Sequence, residues 1–122
     1  MGIDVLIADD LKFIKLVLRE LVEKAGFRVV GEASNGQEAV ELYKDRRPDV
    51  VLMDITMPKM DGLTALKQIL RLDPQAKIIM CSALGQQSLI VQALQLGAKD
   101  FIVKPFREER VIAAIKKTLD IE

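Results

Sequence analysis

The chain has 122 residues, half of them hydrophobic, enough to bury one core, and no apolar run approaches membrane-spanning length. Its 18 basic and 18 acidic side chains balance, which excludes the electrostatic footprint of a nucleic-acid binder. There is no histidine, so imidazole metal ligands and the usual general base are excluded, and any metal is expected to be a hard cation held by oxygen.

The N-terminus, MGIDVLIADD, lacks the basic n-region of a signal peptide, so a soluble, cytoplasmic protein without membrane insertion is expected. Ile3 to Ala8 is an apolar strand that runs at once into Asp9 and Asp10. Leu11 to Ala25 carries Ile14, Val17, Leu18, Leu21 and Val22 at the spacing of one helix face, and Gly26 stops it. Arg28 to Ala33 reads as a second strand interrupted by Gly31. Ser34-Asn35-Gly36 forms a turn or cap before a helix from Gln37 to Arg46, and Pro48 closes that connection. Val50 to Met53 is a third strand, ending at Asp54 and a Pro- and Gly-punctuated loop.

Asp61 is placed to N-cap a helix from Gly62 to Leu72, which Asp73-Pro74 ends. Lys77 to Cys81 is the fourth strand, with Ser82 after it; the lone Cys81 reads as packing. Gln86 to Leu96 is the fourth helix, capped by Gly97. Asp100 to Val103 is the fifth strand, leading into Lys104-Pro105-Phe106 and a last helix from about Arg107 to Leu119.

Strict strand–helix alternation predicts a single α/β domain over 1–122, a doubly wound open parallel sheet with helices on both faces. Ligands of such sheets bind outside the C-terminal strand ends, where strand order reverses. In the order 2-1-3-4-5 the reversal falls between strands one and three, whose ends carry Asp9, Asp10 and Asp54. Ser82 and Lys104 arrive from strands four and five. Singly, each residue has an ordinary use: Asp9 or Asp10 as a helix cap, Ser82 as the start of a turn, Lys104-Pro105 as a tight turn. Four strands supplying reactive groups at one rim point instead to a site. Three acids without histidine suit Mg²⁺, and a carboxylate facing a metal-bound phosphoryl group is a competent nucleophile. Lys104 supplies a mobile charge for a phosphoryl oxygen or for Asp54, and Ser82 a hydroxyl. The pattern points to phosphoryl transfer onto Asp54.

The acidic pair Asp9-Asp10, the stretch VVLMDITMPKMDG, Ser82-Ala83 and GAKDFIVKPF together resemble the receiver domain of two-component response regulators, over essentially the whole chain. The 2-1-3-4-5 order is already known for that family. The resemblance implies that Asp54 is the phosphoacceptor and that Asp9, Asp10, Asp54 and the backbone carbonyl of Thr56 hold Mg²⁺, Asp10 more directly than Asp9. It implies that Ser82 and Lys104 contact the phosphoryl group, that Pro105 is cis, and that Phe101 is the aromatic switch residue. Many chemotaxis regulators have tyrosine at that position, so no phenol hydrogen bond is available to this switch. Thr56 and Leu84 match positions that tune hydrolysis of the acyl phosphate; Leu84 cannot orient water, so a long-lived phosphoryl group is expected.

No residues follow the fifth helix for an output domain, so a stand-alone monomeric receiver is expected, most similar to chemotaxis receivers of the CheY type. The implied partners are a CheA-like histidine kinase as donor and a flagellar motor switch protein or other protein reader. Ile78 to Ala98 contains no charged residue, and Gln86, Gln87, Gln92 and Gln95 are the main polar positions of the fourth helix. Beside Phe101 this uncharged stretch reads either as a docking surface on the fourth helix, fifth strand and fifth helix, or as an ordinary polar helix face. The alternatives are an excised receiver of a transcriptional regulator and, more distantly, a haloacid-dehalogenase-type phosphatase, whose acidic pair follows its nucleophile rather than preceding it. An FMN carrier shares the architecture, but Asp9-Asp10 would repel the cofactor phosphate.

Overall fold

Apolar strands flanked by amphipathic helices fold in the computed structural model, which describes residues 2–122, into five parallel strands ordered β2-β1-β3-β4-β5. In chain order these are β1 Asp4–Ala8, α1 Lys12–Lys24, β2 Arg28–Ala33, α2 Gly36–Arg46, β3 Val50–Asp54, α3 Gly62–Leu72, β4 Ile78–Ser82, α4 Gln87–Leu96, β5 Asp100–Val103 and α5 Glu108–Leu119. Every residue of β3 and β4 is buried, as their uninterrupted apolar runs require of central parallel strands.

Side chains alternate along each strand and divide the core in two. Leu6, Val51, Met53, Ile78 and Met80 meet Ala39, Val40 and Tyr43 of α2, Leu66 and Ile69 of α3, and Ile90 and Ala93 of α4. Val5, Ile7, Leu52, Ile79 and Ile102 meet Leu18, Leu21 and Val22 of α1 and Val111, Ala114 and Ile115 of α5. Covering both faces is what winds the sheet outward from β1 to β2 and then back across to β3.

Local signals stop and start the elements as their chemistry dictates. Gly26 leaves α1 at φ +93. Asn35 Oδ1 accepts the Glu38 N–H while Glu38 Oε1 accepts the Ser34 N–H, a reciprocal pair at the start of α2. Asp61 Oδ1 accepts the Thr64 N–H and caps α3. Gly31, read as an interruption, adjoins a bulge: Val5 pairs with Val29 but Leu6 with Gly31, leaving Val30 unopposed.

Several boundaries move by one residue, two of them with consequence. β3 and β4 reach Asp54 and Ser82, one residue beyond the sequence expectation, because the Ile55 N–H bonds the Cys81 carbonyl and the Lys104 N–H the Ser82 carbonyl. Ser82 is therefore the last residue of a buried strand and begins no turn. α4 and α5 start at Gln87 and Glu108, with Gln86 and Arg107 as their caps.

Candidate functional site

The return of the chain from β2 to β3 leaves the ends of β1 and β3 side by side, with Ala8 paired to Met53. Carboxylate oxygens of Asp9, Asp10 and Asp54 lie there within 4.8 Å of one another. Asp9 is buried, and its Oδ1 accepts the Leu11 N–H at 2.9 Å; Leu11 itself holds the cap position of α1, without a side-chain cap bond, so Asp9 is not the helix cap it could have been. From the end of β5, Lys104 donates to Asp9 Oδ2 at 2.7 Å and stands 3.4 Å from Asp54 Oδ2. The Lys104–Pro105 peptide bond is cis. Ser82, at the end of β4, has a buried hydroxyl with no hydrogen-bond partner.

Burial raises the Asp54 carboxyl to a pKa of about 6; the Lys104 charge pulls it down and the Asp9 charge pushes it further up. Burial opposes the Lys104 ammonium, but the bond to Asp9 and the charges of Asp54 and Asp9 outweigh it and raise its pKa. One ammonium thus stands against two of the three carboxylates, Asp9 and Asp54. Oxygen-only donors and a partly uncompensated negative charge fit a small divalent cation, and a buried, unpartnered hydroxyl nearby fits an incoming acceptor oxygen. Cys81 is no rival nucleophile: burial pushes its thiol up to about 12.

The loop after β3 is set tightly. The Gly62 N–H bonds the Ile55 carbonyl at 2.7 Å and the Gly36 N–H bonds the Met60 carbonyl at 2.7 Å. A Cβ on Gly62 would sit 2.1 Å from the Asp54 carbonyl oxygen, and one on Gly36 would sit 2.4 Å from that of Met60. Both glycines are required by close backbone approach. The Thr56 N–H reaches Asp54 Oδ1 at only 3.5 Å.

Asp9, Asp10, Asp54 and Lys104 thus converge, with Ser82 at the end of the adjoining strand β4 and Thr56 in the loop that follows β3. Leu84 and Phe101 lie elsewhere, lining an apolar groove of about 330 Å³ with Gln87, Ile90, Val91 and Leu94. Phe101 also packs on the core, and β5 register places it opposite Met80, on the sheet face of Ser82 two residues on. The uncharged stretch therefore presents apolar Leu84, Val91 and Leu94 beside Phe101, more than the glutamines its composition suggested. One residue the sequence left among polar surface positions is part of the site's rim: Gln86 donates through Nε2 to Thr56 Oγ1 at 2.8 Å and accepts the Ala83 N–H at 2.7 Å.

Residues 5–116 match the response regulator receiver domain family. The chain is 59% identical over 116 residues to the chemotaxis protein CheY of Bacillus subtilis, covering 95% of this chain and 97% of that protein. This chain belongs to the response regulator receiver family. The receiver is also 56% identical over 117 residues to the chemotaxis protein CheY of Thermotoga maritima, covering 96% of this chain and 98% of the relative. Among solved structures it resembles a chain of the CheX–CheY–BeF₃–Mg complex from Borrelia burgdorferi, with TM-score 0.90, 42% identity and coverage of 94% and 87%. The response regulator domain of Thermotoga maritima CheB gives TM-score 0.91 at 34% identity, covering 100% and 99%.

The receiver is a phosphorylation-dependent signalling switch of the chemotaxis type, a signalling protein and not an enzyme acting on a separate substrate. Neither the transcriptional-regulator reading nor the phosphatase reading is favoured. Among the described residues, no helix is long and apolar enough to cross a membrane.

Proposed function

We propose that the receiver, a single domain over residues 1–122, accepts a phosphoryl group on Asp54 from the phosphohistidine of a CheA-like kinase. The observation that carries this reading is the convergence of Asp9, Asp10, Asp54 and Lys104 at the switch point of the sheet. Asp9, Asp10, Asp54 and the Thr56 carbonyl are the groups that would hold Mg²⁺. When bound, Mg²⁺ neutralises charge on the carboxylates and on the phosphoryl oxygens.

The chain's own part is positioning and electrostatics. A carboxylate oxygen of Asp54 bonds to phosphorus as the donor's P–N bond breaks, and the imidazole leaves with the electron pair. Lys104, held between Asp9 and Asp54, is within reach of a new phosphoryl oxygen, to which it donates in place of a carboxylate. Ser82 donates its unpartnered hydroxyl to another. Phe101, packed two residues from the register partner of Ser82, carries the rearrangement to the groove beside α4. With Leu84 turned into that groove, no side chain at its position orients water, and the phosphoryl group is lost slowly by self-hydrolysis.

A flagellar motor switch protein or another protein reader binds the α4–β5–α5 face, which offers Leu84, Val91, Leu94 and Phe101 without a charged residue on α4. On the other side of the acidic cluster, α1 exposes Phe13 and Leu16, with Leu11 just before it, a surface against which the donor domain docks. The protein acts as a cytoplasmic monomer and binds neither nucleic acid nor membrane. Intact mass after incubation with acetyl phosphate and Mg²⁺ tests the assignment. One Mg²⁺-dependent phosphoryl adduct is expected in the wild type and none in Asp54→Asn; an adduct that persists in the variant moves the acceptor elsewhere.

A further inference from the structure

Gln86 occupies the cap position of α4 yet makes no side-chain bond to its own helix. Its amide spans two loops instead. Oε1 accepts the N–H of Ala83, the residue after Ser82, and Nε2 donates to Oγ1 of Thr56, two residues after Asp54 and 30 positions from Gln86 in the chain. Among the described residues no other side-chain hydrogen bond joins the β3–α3 loop to the β4–α4 loop. Asp54 and Ser82, the strand ends from which the two bridged loops leave, are enclosed: Asp54 is 7% exposed and Ser82 is 0% exposed.

On the reading of Asp54 as the acceptor, we infer that Gln86 is a positioning residue: a strap across the rim of the cleft that must open before a small phosphodonor or a hydrolytic water reaches Asp54. Both ends of the amide are engaged by protein groups, so Gln86 restrains the loops and does not present itself to the reacting atoms. In phosphorylation by acetyl phosphate, an Asp54 oxygen bonds to phosphorus and acetate leaves. In hydrolysis, a water oxygen bonds to phosphorus, the P–O bond to Asp54 breaks, and orthophosphate and the free carboxylate result. Gln86 enters neither balance. A residue that gates access changes both rates by the same factor, whereas one that orients water changes only hydrolysis.

The factor follows from the bond that closes the strap. Removing one net hydrogen bond raises the open population, and with it each gated rate, by roughly fivefold. The test uses the whole chain as wild type, Gln86→Ala, Thr56→Val and the double variant, with folding checked by circular dichroism. Adduct formation from acetyl phosphate with Mg²⁺ and adduct decay after donor removal are followed by intact mass. Each single variant is expected to speed formation and decay by about the same factor, roughly fivefold, and the double variant to go no further. Slower decay with unchanged formation would show that Gln86 orients the hydrolytic water and overturns the strap; so do unchanged rates in folded variants. A wild type that forms an adduct keeps the acceptor assignment apart from these outcomes, while a wild type that forms none overturns both.

Discussion

Lys104 makes its shortest ion pair with Asp9, at 2.7 Å, while Asp54 lies 3.4 Å away. The ammonium between the two is thus anchored by Asp9, which is itself buried and fixed by the Leu11 N–H. This pairing holds the cluster together before any phosphoryl group arrives, and it makes the resting protein sensitive to every charge at the rim.

Lys104→Met removes the only cation bonded to Asp9 among the described residues and leaves a buried carboxylate unpaired. A loss of about 2–3 kcal/mol is expected for the metal-free protein at pH 7, read by urea denaturation. Added Mg²⁺ should restore part of it. Lys104 has a raised pKa, so its contribution is complete below the ordinary lysine value and fades only as pH rises through the higher folded one. Equal stability of the variant at pH 7 without Mg²⁺ would show that the pair contributes nothing.

Asp54→Asn is expected to stabilise the metal-free protein at neutral pH. The folded carboxyl has its pKa raised from 3.8 to about 6, chiefly by burial, so folding binds the proton more tightly. That favourable contribution is complete below the unfolded value and is lost as pH rises through about 6, above which the buried charge opposes folding. At pH 7.5 the amide should gain at least about 1 kcal/mol. Near pH 4 the gain should shrink. Denaturation curves at the two pH values decide it.

Gly62→Ala should disrupt both stability and the site. Its Cβ would meet the Asp54 carbonyl oxygen at 2.1 Å and the Ile55 Cα at 2.9 Å, and backbone there cannot step aside without moving Asp54. A loss of about 3 kcal/mol or more is expected. Gly85→Ala is the comparison, with φ +90 but nothing within 4 Å of a Cβ, and should lose only about 1 kcal/mol. Similar melting temperatures for the two variants would contradict the close-approach explanation.

Tyr43→Phe should lower the melting temperature at pH 7. The buried Tyr43 hydroxyl donates to Asp73 Oδ2 at 2.7 Å, tying α2 to the end of α3, and this bond holds the Asp73 carboxyl below its usual range. A depressed carboxylate contributes stability above its unfolded pKa and loses it as pH falls through the folded value. The wild-type advantage should therefore narrow on acidification below about pH 4. A difference that does not change with pH would mean the hydroxyl bond is not coupled to the Asp73 charge.

The fold class was legible because each of its signals is local. Periods of two and 3.6 residues, Asn35 and Asp61 before helices, and Gly26 after one all act within a few positions, and strands joined through helices have little choice but to lie parallel. The acids and the lysine were legible as a group for the same reason: each stands at a strand end, and parallel strands bring their ends to one rim. The cap at Gln86 was less so, since glutamine is a poor N-cap and at that position reads as helix surface.

The chain by itself therefore determined which residues meet at the rim and what chemistry they are suited to. Tertiary structure decided how they are paired. Lys104 chooses Asp9 across 95 positions, Gln86 reaches Thr56 across 30, and Gly62 lies against the Asp54 carbonyl only once the loop has closed. It also decided that Leu84 and Phe101 face an apolar groove beside α4, away from the carboxylates. Composition and periodicity carry no information about distances between loops, because those distances arise from how two packed layers settle on the sheet and which polar groups that packing leaves within reach of one another.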